Sequence, residues 1–182
     1  MTKLCIAYYS RTGKTKRLVE ELSRELRRRG IDYSLHLVKP RKEYSKPLYV
    51  NPRLWVDTLL GRVVDIVVEP SIDVTQCNAI LLATPIWIGR VAPPTASFVS
   101  AYLRQFRGAV MLIATSRFGG YCRAFTNLVK RLGIEPSLCI DVLDKDVSSH
   151  ASDLARSVAS RVENVLRKSP ELRSDAKFQS SS

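Results

Sequence analysis

Apolar and polar positions along this chain switch repeatedly between two periods. Leu4 to Tyr9 is a nearly unbroken apolar run, and after Thr15 the spacing turns helical, with Leu18, Val19, Leu22 and Leu26 on one face and Gly30 where a helix should stop. Tyr33 to Val38 alternates as a second strand closed by Pro40. Residues 39 to 50, rich in cations and turn formers, predict a long exposed connection. Asn51-Pro52 then sets a capping residue before a first-turn proline, and Leu54, Leu59, Leu60 and Val63 predict a short helix. Between Asp65 and Gln76 the pattern stays open, since Ile66 to Val68 reads equally as a small extra strand or as an extended excursion. Ala79 to Ala83 is uninterrupted, as in a central strand covered on both faces. A helix is expected to begin near Pro93-Pro94, with Phe98, Tyr102 and Phe106 recurring at four. Ala109 to Ala114 repeats the central-strand pattern and precedes a helix carrying Phe125, Leu128, Val129 and Leu132. Leu138 to Val142 is the last strand, and Leu154, Val158, Val162 and Val165 mark the last helix.

Strand and helix alternating about five times predict an α/β fold, a doubly wound parallel sheet with helices on both faces. Residues 1–168 are expected to form one domain, and the polar, aperiodic 169–182 a mobile tail. With 182 residues and 45% hydrophobic content the chain can bury one sizeable core. No apolar run reaches bilayer length and the chain enters its first strand at once, so the expectation is a cytoplasmic protein with no membrane insertion. Cys5, Cys77, Cys122 and Cys139 are widely spaced without a CxxC pair, and His36 and His150 stand far apart. These positions predict neither a disulfide framework nor a metal site, with Cys5 and Cys139 as buried thiols.

Charge alters the picture more than composition does. The net charge is +12, and residues 1–60 carry 14 Lys and Arg against 6 Asp and Glu, while the rest carry 15 against 11. Such a surplus favours an anionic partner without choosing among phosphates, acidic proteins and nucleic acid. No nucleic-acid recognition module accompanies it. Arg27, Arg28 and Arg29 close the first helix, where cations also complement the helix dipole.

The candidate chemistry lies where strands end. Ser10, Arg11, Thr12, Gly13, Lys14 and Thr15 join strand to helix with hydroxyls and free backbone N–H groups, a cradle for a phosphate. A polar turn with Thr12 or Thr15 as a cap is the bland alternative. Gly13-Lys14-Thr15 is not a triphosphate loop, because the glycine required five positions earlier is Tyr8, and no GxGxxG follows the strand. One phosphate fits this loop better than two or three. Thr84, Pro85, Ile86, Trp87, Ile88 and Gly89 form a second loop, read as presenting an exposed Trp. Thr115, Ser116, Arg117, Phe118, Gly119, Gly120 and Tyr121 form a third. In a parallel sheet all three meet on one edge, the ligand-binding edge of such folds. Trp87 with Phe118 or Tyr121 suits a flat ring, so the three loops together describe a planar ring joined to one phosphate. Paired catalytic carboxylates and nucleophile triads are not seen in the sequence.

These motifs, in this order and spacing across roughly residues 3 to 166, resemble the flavodoxin-like FMN-binding family. TyrSerArgThrGlyLysThr at 9–15 resembles its phosphate loop, ThrProIleTrpIleGly at 84–89 its second flavin loop and ThrSerArgPheGlyGly at 115–120 its third. The uninterrupted last strand places the likeness with the short-chain type. The resemblance implies FMN as cofactor and a five-stranded parallel sheet in the order 2-1-3-4-5. Residues 10 and 12–15 would hold the phosphate through N–H and hydroxyl groups with Arg11 beside them. Residues 84–89 would run along the isoalloxazine ring and 116–121 would close its other side. It further implies an electron-transfer protein cycling through a flavin semiquinone, or alternatively an NAD(P)H-dependent reductase acting on a small acceptor. A flavin-free basic binding module is the reading of a different class. The partner is expected to be an anionic redox protein or NAD(P)H, and oligomerisation stays open. Two departures stand out: carriers of this family are acidic whereas this chain is basic, and the connection at about 39–77 is long.

Overall fold

A computed structural model describes residues 3–44 and 52–168. The expected cap at Asn51, part of the 39–50 connection and the 169–182 tail lie outside these residues. In order, the elements are β1 (Leu4–Tyr8), α1 (Lys14–Arg28), β2 (Tyr33–Pro40), α2 (Pro52–Leu59), β3 (Ile66–Glu69), β4 (Ala79–Trp87), β5 (Arg90–Val91), α3 (Pro93–Tyr102), β6 (Ala109–Ser116), α4 (Cys122–Lys130), β7 (Leu138–Leu143) and α5 (Asp144–Lys168), the last broken at His150.

The architecture is α/β with a mostly parallel sheet, but the sheet has seven strands rather than five. Its order is β3-β2-β1-β4-β6-β7, with β5 paired to β4, so 2-1-3-4-5 does not describe the whole sheet. The difference comes from two antiparallel strands. β3 pairs with the far edge of β2, from Leu37↔Glu69 to Pro40↔Ile66, which turns the ambiguous stretch at 66–68 into a strand. β5 folds back on the end of β4 through Ile86↔Val91 and Trp87↔Arg90. Pro40 is tolerated inside β2 because it closes the strand, beyond the parallel pairing that ends at Tyr8↔Leu37.

Two cores follow from the alternation of side chains along the central strands. Leu4, Ile6, Leu81, Met111 and Ile113 face α1 and α5, where Leu18, Leu22, Val158 and Val162 cover them. Cys5, Ala7, Ile80, Leu82 and Leu112 face the other way, towards Phe98 of α3 and Phe125 of α4. Three of the apolar positions expected to anchor α2, Leu59, Leu60 and Val63, do not do so. Leu59 and Leu60 are exposed, and the buried residues of that turn are the polar Asp57 and Thr58. Tyr44 donates its hydroxyl to Asp57 Oδ2 at 3.3 Å, and Val64 N–H donates to Ser97 Oγ at 2.8 Å, so polar contacts tie the long connection to its own helix α2 and to α3.

All four cysteines are paired, which corrects the expectation of free thiols. Cys5 bonds Cys77 and Cys122 bonds Cys139, each with Cα atoms 5.8 Å apart. Sequence spacing could not show this, because the pairs are made by the sheet. Parallel pairing of β1 with β4 sets Leu4 opposite Ala79 and brings the residues just ahead of β4 beside Cys5. Likewise, α4 returns the chain so that its first residue meets the second residue of β7. No helix among the described residues is long and apolar enough to cross a membrane.

Candidate functional site

The carboxyl ends of β1, β4 and β6 border a cleft of about 480 Å³. Arg11, Thr12, Lys14 and Thr15 line it from the first loop, residues 85–88 from the second, and residues 115–118 from the third. The three stretches singled out in the sequence therefore meet. Ser10, Gly13, Thr84, Gly89, Gly119, Gly120 and Tyr121 stand behind or beside this wall rather than in it, and Asp144 is a lining residue that sequence reasoning did not select.

The first loop ends at Gly13, whose φ of 88° lets the chain enter α1 at a sharp angle. No side chain caps this helix and no acidic residue stands in its first turn, so its leading N–H groups and dipole are left for an anion. Ser10 Oγ is buried with no hydrogen-bond partner. An orphaned buried hydroxyl costs about 1–3 kcal/mol, which a ligand oxygen would recover.

Thr15 behaves differently from expectation. Its Oγ1 lies 2.7 Å from Thr115 Oγ1, and Thr115 directs its one hydroxyl proton to the Thr84 carbonyl at 3.3 Å. Thr15 must then be the donor to Thr115, so its hydroxyl is engaged inside the protein and its backbone N–H is what remains for an anion. Thr95 Oγ1 donates to Thr84 Oγ1 at 2.8 Å, so this short chain of hydroxyls locks the ends of β4 and β6 to α1 and α3. Lys14 Nζ meets Asp144 Oδ2 at 3.2 Å, fastening the first loop to the start of α5.

The second stretch is mostly strand. Thr84 to Trp87 continues β4, and only Ile88 and Gly89 form the turn into β5, with φ of 51° and 72°. Two positive φ values suit the right-handed twist of a hairpin, though a β-branched residue at the first is an outlier. Trp87 is not exposed as expected. It is 7% exposed, and it meets Tyr9 edge-on at 5.5 Å and Tyr44 at 5.7 Å. Strand pleating turns it into the wall, where the two tyrosines fix its plane. Burial holds the Tyr9 hydroxyl well above the ordinary phenol range, with Glu43 and Tyr44 reinforcing this and Arg11 opposing it, so Tyr9 stays neutral.

In the third loop Ser116 Oγ accepts from Gly119 N–H at 2.9 Å, which folds the loop back on itself. Asp141 of β7 accepts from Tyr121 N–H at 2.8 Å and from Cys122 N–H at 3.1 Å, and so satisfies the start of α4. Tyr121 does not line the cleft, and its ring lies beside Gly89 of the second loop. Phe118 is 80% exposed at its mouth. The cleft thus joins a polar end, made by the first loop, to an apolar end made by residues 85–88 and Phe118. The signal for Asp144 was available: a carboxylate directly after an apolar strand that must end on the same sheet edge. Tyr44 carried none, because its contact with Trp87 depends on how the long connection folds.

No protein-family model and no curated protein matches the sequence. Solved structures do. A flavoprotein in complex with FMN from Lactobacillus acidophilus aligns with a TM-score of 0.66 at 24% identity, covering 81% of this chain and 97% of that one. A flavodoxin from the domain Archaea aligns with 0.52 at 15%, covering 89% and 99%. The two-electron reduced flavodoxin of Megasphaera elsdenii aligns with 0.56 at 14%, covering 86% and 98%. With these similarities and the sheet, helices and cleft described above, the chain has the flavodoxin-like fold.

Proposed function

We propose that the protein binds FMN in this cleft and acts as a redox flavoprotein, carrying electrons between proteins. The observation that carries the reading is one cleft that joins the uncapped start of α1, with the orphaned Ser10 Oγ in the loop just before it, to an apolar wall that includes Trp87. The similar flavoprotein from Lactobacillus acidophilus is in complex with FMN, which agrees with it. The residues fit a single phosphate: Ser10, Thr12 and the first N–H groups of α1 would hold it, and Arg11 adds positive charge. Lys14 is engaged by Asp144 and contributes chiefly by keeping the loop in place. Trp87, held edge-on by Tyr9 and Tyr44, would give the ring a rigid flank, and Pro85, Ile86 and Ile88 would exclude water beside it. Bound FMN would supply the redox chemistry, and the protein the binding, orientation and electrostatics.

Chromatography of the released cofactor tests this directly, with FMN expected in about one equivalent per chain. Ser10→Ala should weaken FMN by roughly tenfold or more, as for a lost hydrogen bond to a charged group of about 1.5–3 kcal/mol, and should leave riboflavin nearly unaffected. Recovery of no flavin, even after reconstitution, would favour the basic binding module instead.

An NAD(P)H-dependent reductase is the second reading, and a specific feature favours it. Trp87 is in the wall and Tyr121 does not line the cleft, so among the described residues Phe118 is the aromatic side chain at its open side. Among the described residues two aromatic side chains on opposite sides of the cleft, the arrangement that would exclude a nicotinamide, are not found. Anaerobic mixing with NADH and with NADPH separates the readings: the carrier predicts negligible direct reduction, the reductase rapid bleaching by one of them.

A further inference from the structure

We propose that the mouth of the cleft is the docking surface for an acidic redox protein, with Ile88 and Phe118 as its apolar centre and Arg90 and Arg117 as its charged rim. This rests on the FMN reading and names the partner of that site. Phe118 is 80% and Ile88 40% exposed, and both line the cleft opening. Large apolar side chains at such exposure mark interaction sites when they gather in one place with a polar rim. Ile88 is held outward at a φ of 51°, a conformation a β-branched residue rarely adopts and one where Asn or Gly would be unstrained. Backbone outliers of this kind cluster at functional sites.

The charged side chains that flank this centre within its two loops are both arginines. Arg90 lies beside Ile88 in the β4–β5 hairpin, and Arg117 directly precedes Phe118. Both are exposed, and neither takes part in the ion pairs found among the described residues. Asp144 is the carboxylate that lines the cleft, and Lys14 neutralises it. An unpaired arginine rim around an apolar centre is the usual anatomy of a protein interface, with arginine and aromatic residues favoured and lysine depleted. It selects carboxylates on the facing surface, and the net charge of +12 extends the attraction to long range. A bound ring at this opening would be presented to whatever docks there, which is why the partner is a redox protein.

The test uses the FMN-loaded protein, with bound FMN verified first, so that failure of the cofactor reading is seen before any partner is added and overturns this proposal with it. The protein is reduced with stoichiometric dithionite and mixed in a stopped-flow instrument with two haem proteins, acidic cytochrome b5 and basic cytochrome c. Each productive encounter moves one electron to a ferric haem, which becomes ferrous. Transfer to cytochrome b5 should be the faster at low salt and should slow at least tenfold by physiological salt. Arg90→Glu should slow it about fivefold or more while leaving FMN affinity unchanged, because Arg90 does not line the cleft. Arg161→Glu makes the same change in net charge on α5, about 15 Å along the helix beyond its break at His150, and should slow transfer less than twofold. Equal effects of the two variants, rates flat across salt, or a preference for cytochrome c would each overturn the proposal.

Discussion

Gly13→Ala isolates the backbone at the entrance to α1, because the glycine has φ of 88° and an added Cβ would meet no atom within 4 Å. Sterics with neighbours therefore contribute nothing, and two opposing terms remain. A left-handed conformation costs a residue with a Cβ roughly 1–2 kcal/mol. Alanine also stiffens the unfolded chain, which returns about 0.4–1 kcal/mol. The net loss is about 1 kcal/mol, or roughly 2–4 °C in Tm for a chain of this size. Gly30→Ala is the matched control: φ is 68°, the Cβ again meets nothing within 4 Å, and the site is just beyond the opposite end of the same helix. Both variants should lose similar stability in urea or thermal unfolding. They should part in ligand binding. Relief of strain in Gly13→Ala rotates the first N–H groups of α1 away from the cradle, so one charge-assisted hydrogen bond is weakened and FMN affinity falls about tenfold, while riboflavin affinity changes little. Gly30→Ala should bind both ligands as the unmodified protein does. Equal FMN affinity in the two variants, despite equal loss of stability, would refute the assignment of the helix start as the phosphate site.

Trp87→Ala removes a 7% exposed ring and its edge contacts with Tyr9 and Tyr44, so a loss of about 3–5 kcal/mol in urea unfolding is expected together with weaker FMN binding. Thr15→Val takes the donor from the Thr15–Thr115–Thr84 chain and should cost about 1–3 kcal/mol while leaving the ratio of FMN to riboflavin affinity unchanged, because its hydroxyl is engaged internally. Replacing Cys122 and Cys139 by serine opens a loop of 17 residues and should cost about 3 kcal/mol, and the Cys5–Cys77 pair, which spans 72, should cost more; thermal unfolding of the two double variants checks the order. Asp73 is held below its ordinary pKa by Thr75, and Glu163 by Arg167 and then Arg29. Their stabilisation is present above the usual carboxylate range, near pH 4, and is lost as pH falls through the depressed values, so urea midpoints should drop more steeply below pH 4 in the unmodified protein than in Asp73→Asn.

What the sequence determined by itself was local and periodic. Continuous apolar runs at Leu4, Ala79 and Ala109 have the pattern of strands covered on both faces, and the helical stripe from Leu18 to Leu26 buries one side of α1 completely. Those patterns carry the α/β class, and the parallel order places three strand ends, with their hydroxyls and glycines, on one edge. The tertiary structure decided whatever depends on residues distant in sequence. A two-residue strand such as β5 has no period to read, and β3 exists because β2 offers it an edge. Cys5 and Cys77 are joined by the β1–β4 pairing, which widely spaced cysteines do not announce. Trp87 was legible as a residue of the candidate cleft but not as a buried one, since it packs on Tyr9, just after β1, and on Tyr44 in a connection with no helical or strand period. Thr15 was legible as a hydroxyl at the right loop, whereas its partner lies 100 residues away. Periodicity reports how a segment meets its surroundings, and the direction of a single side chain is set by whichever neighbours the sheet brings to it.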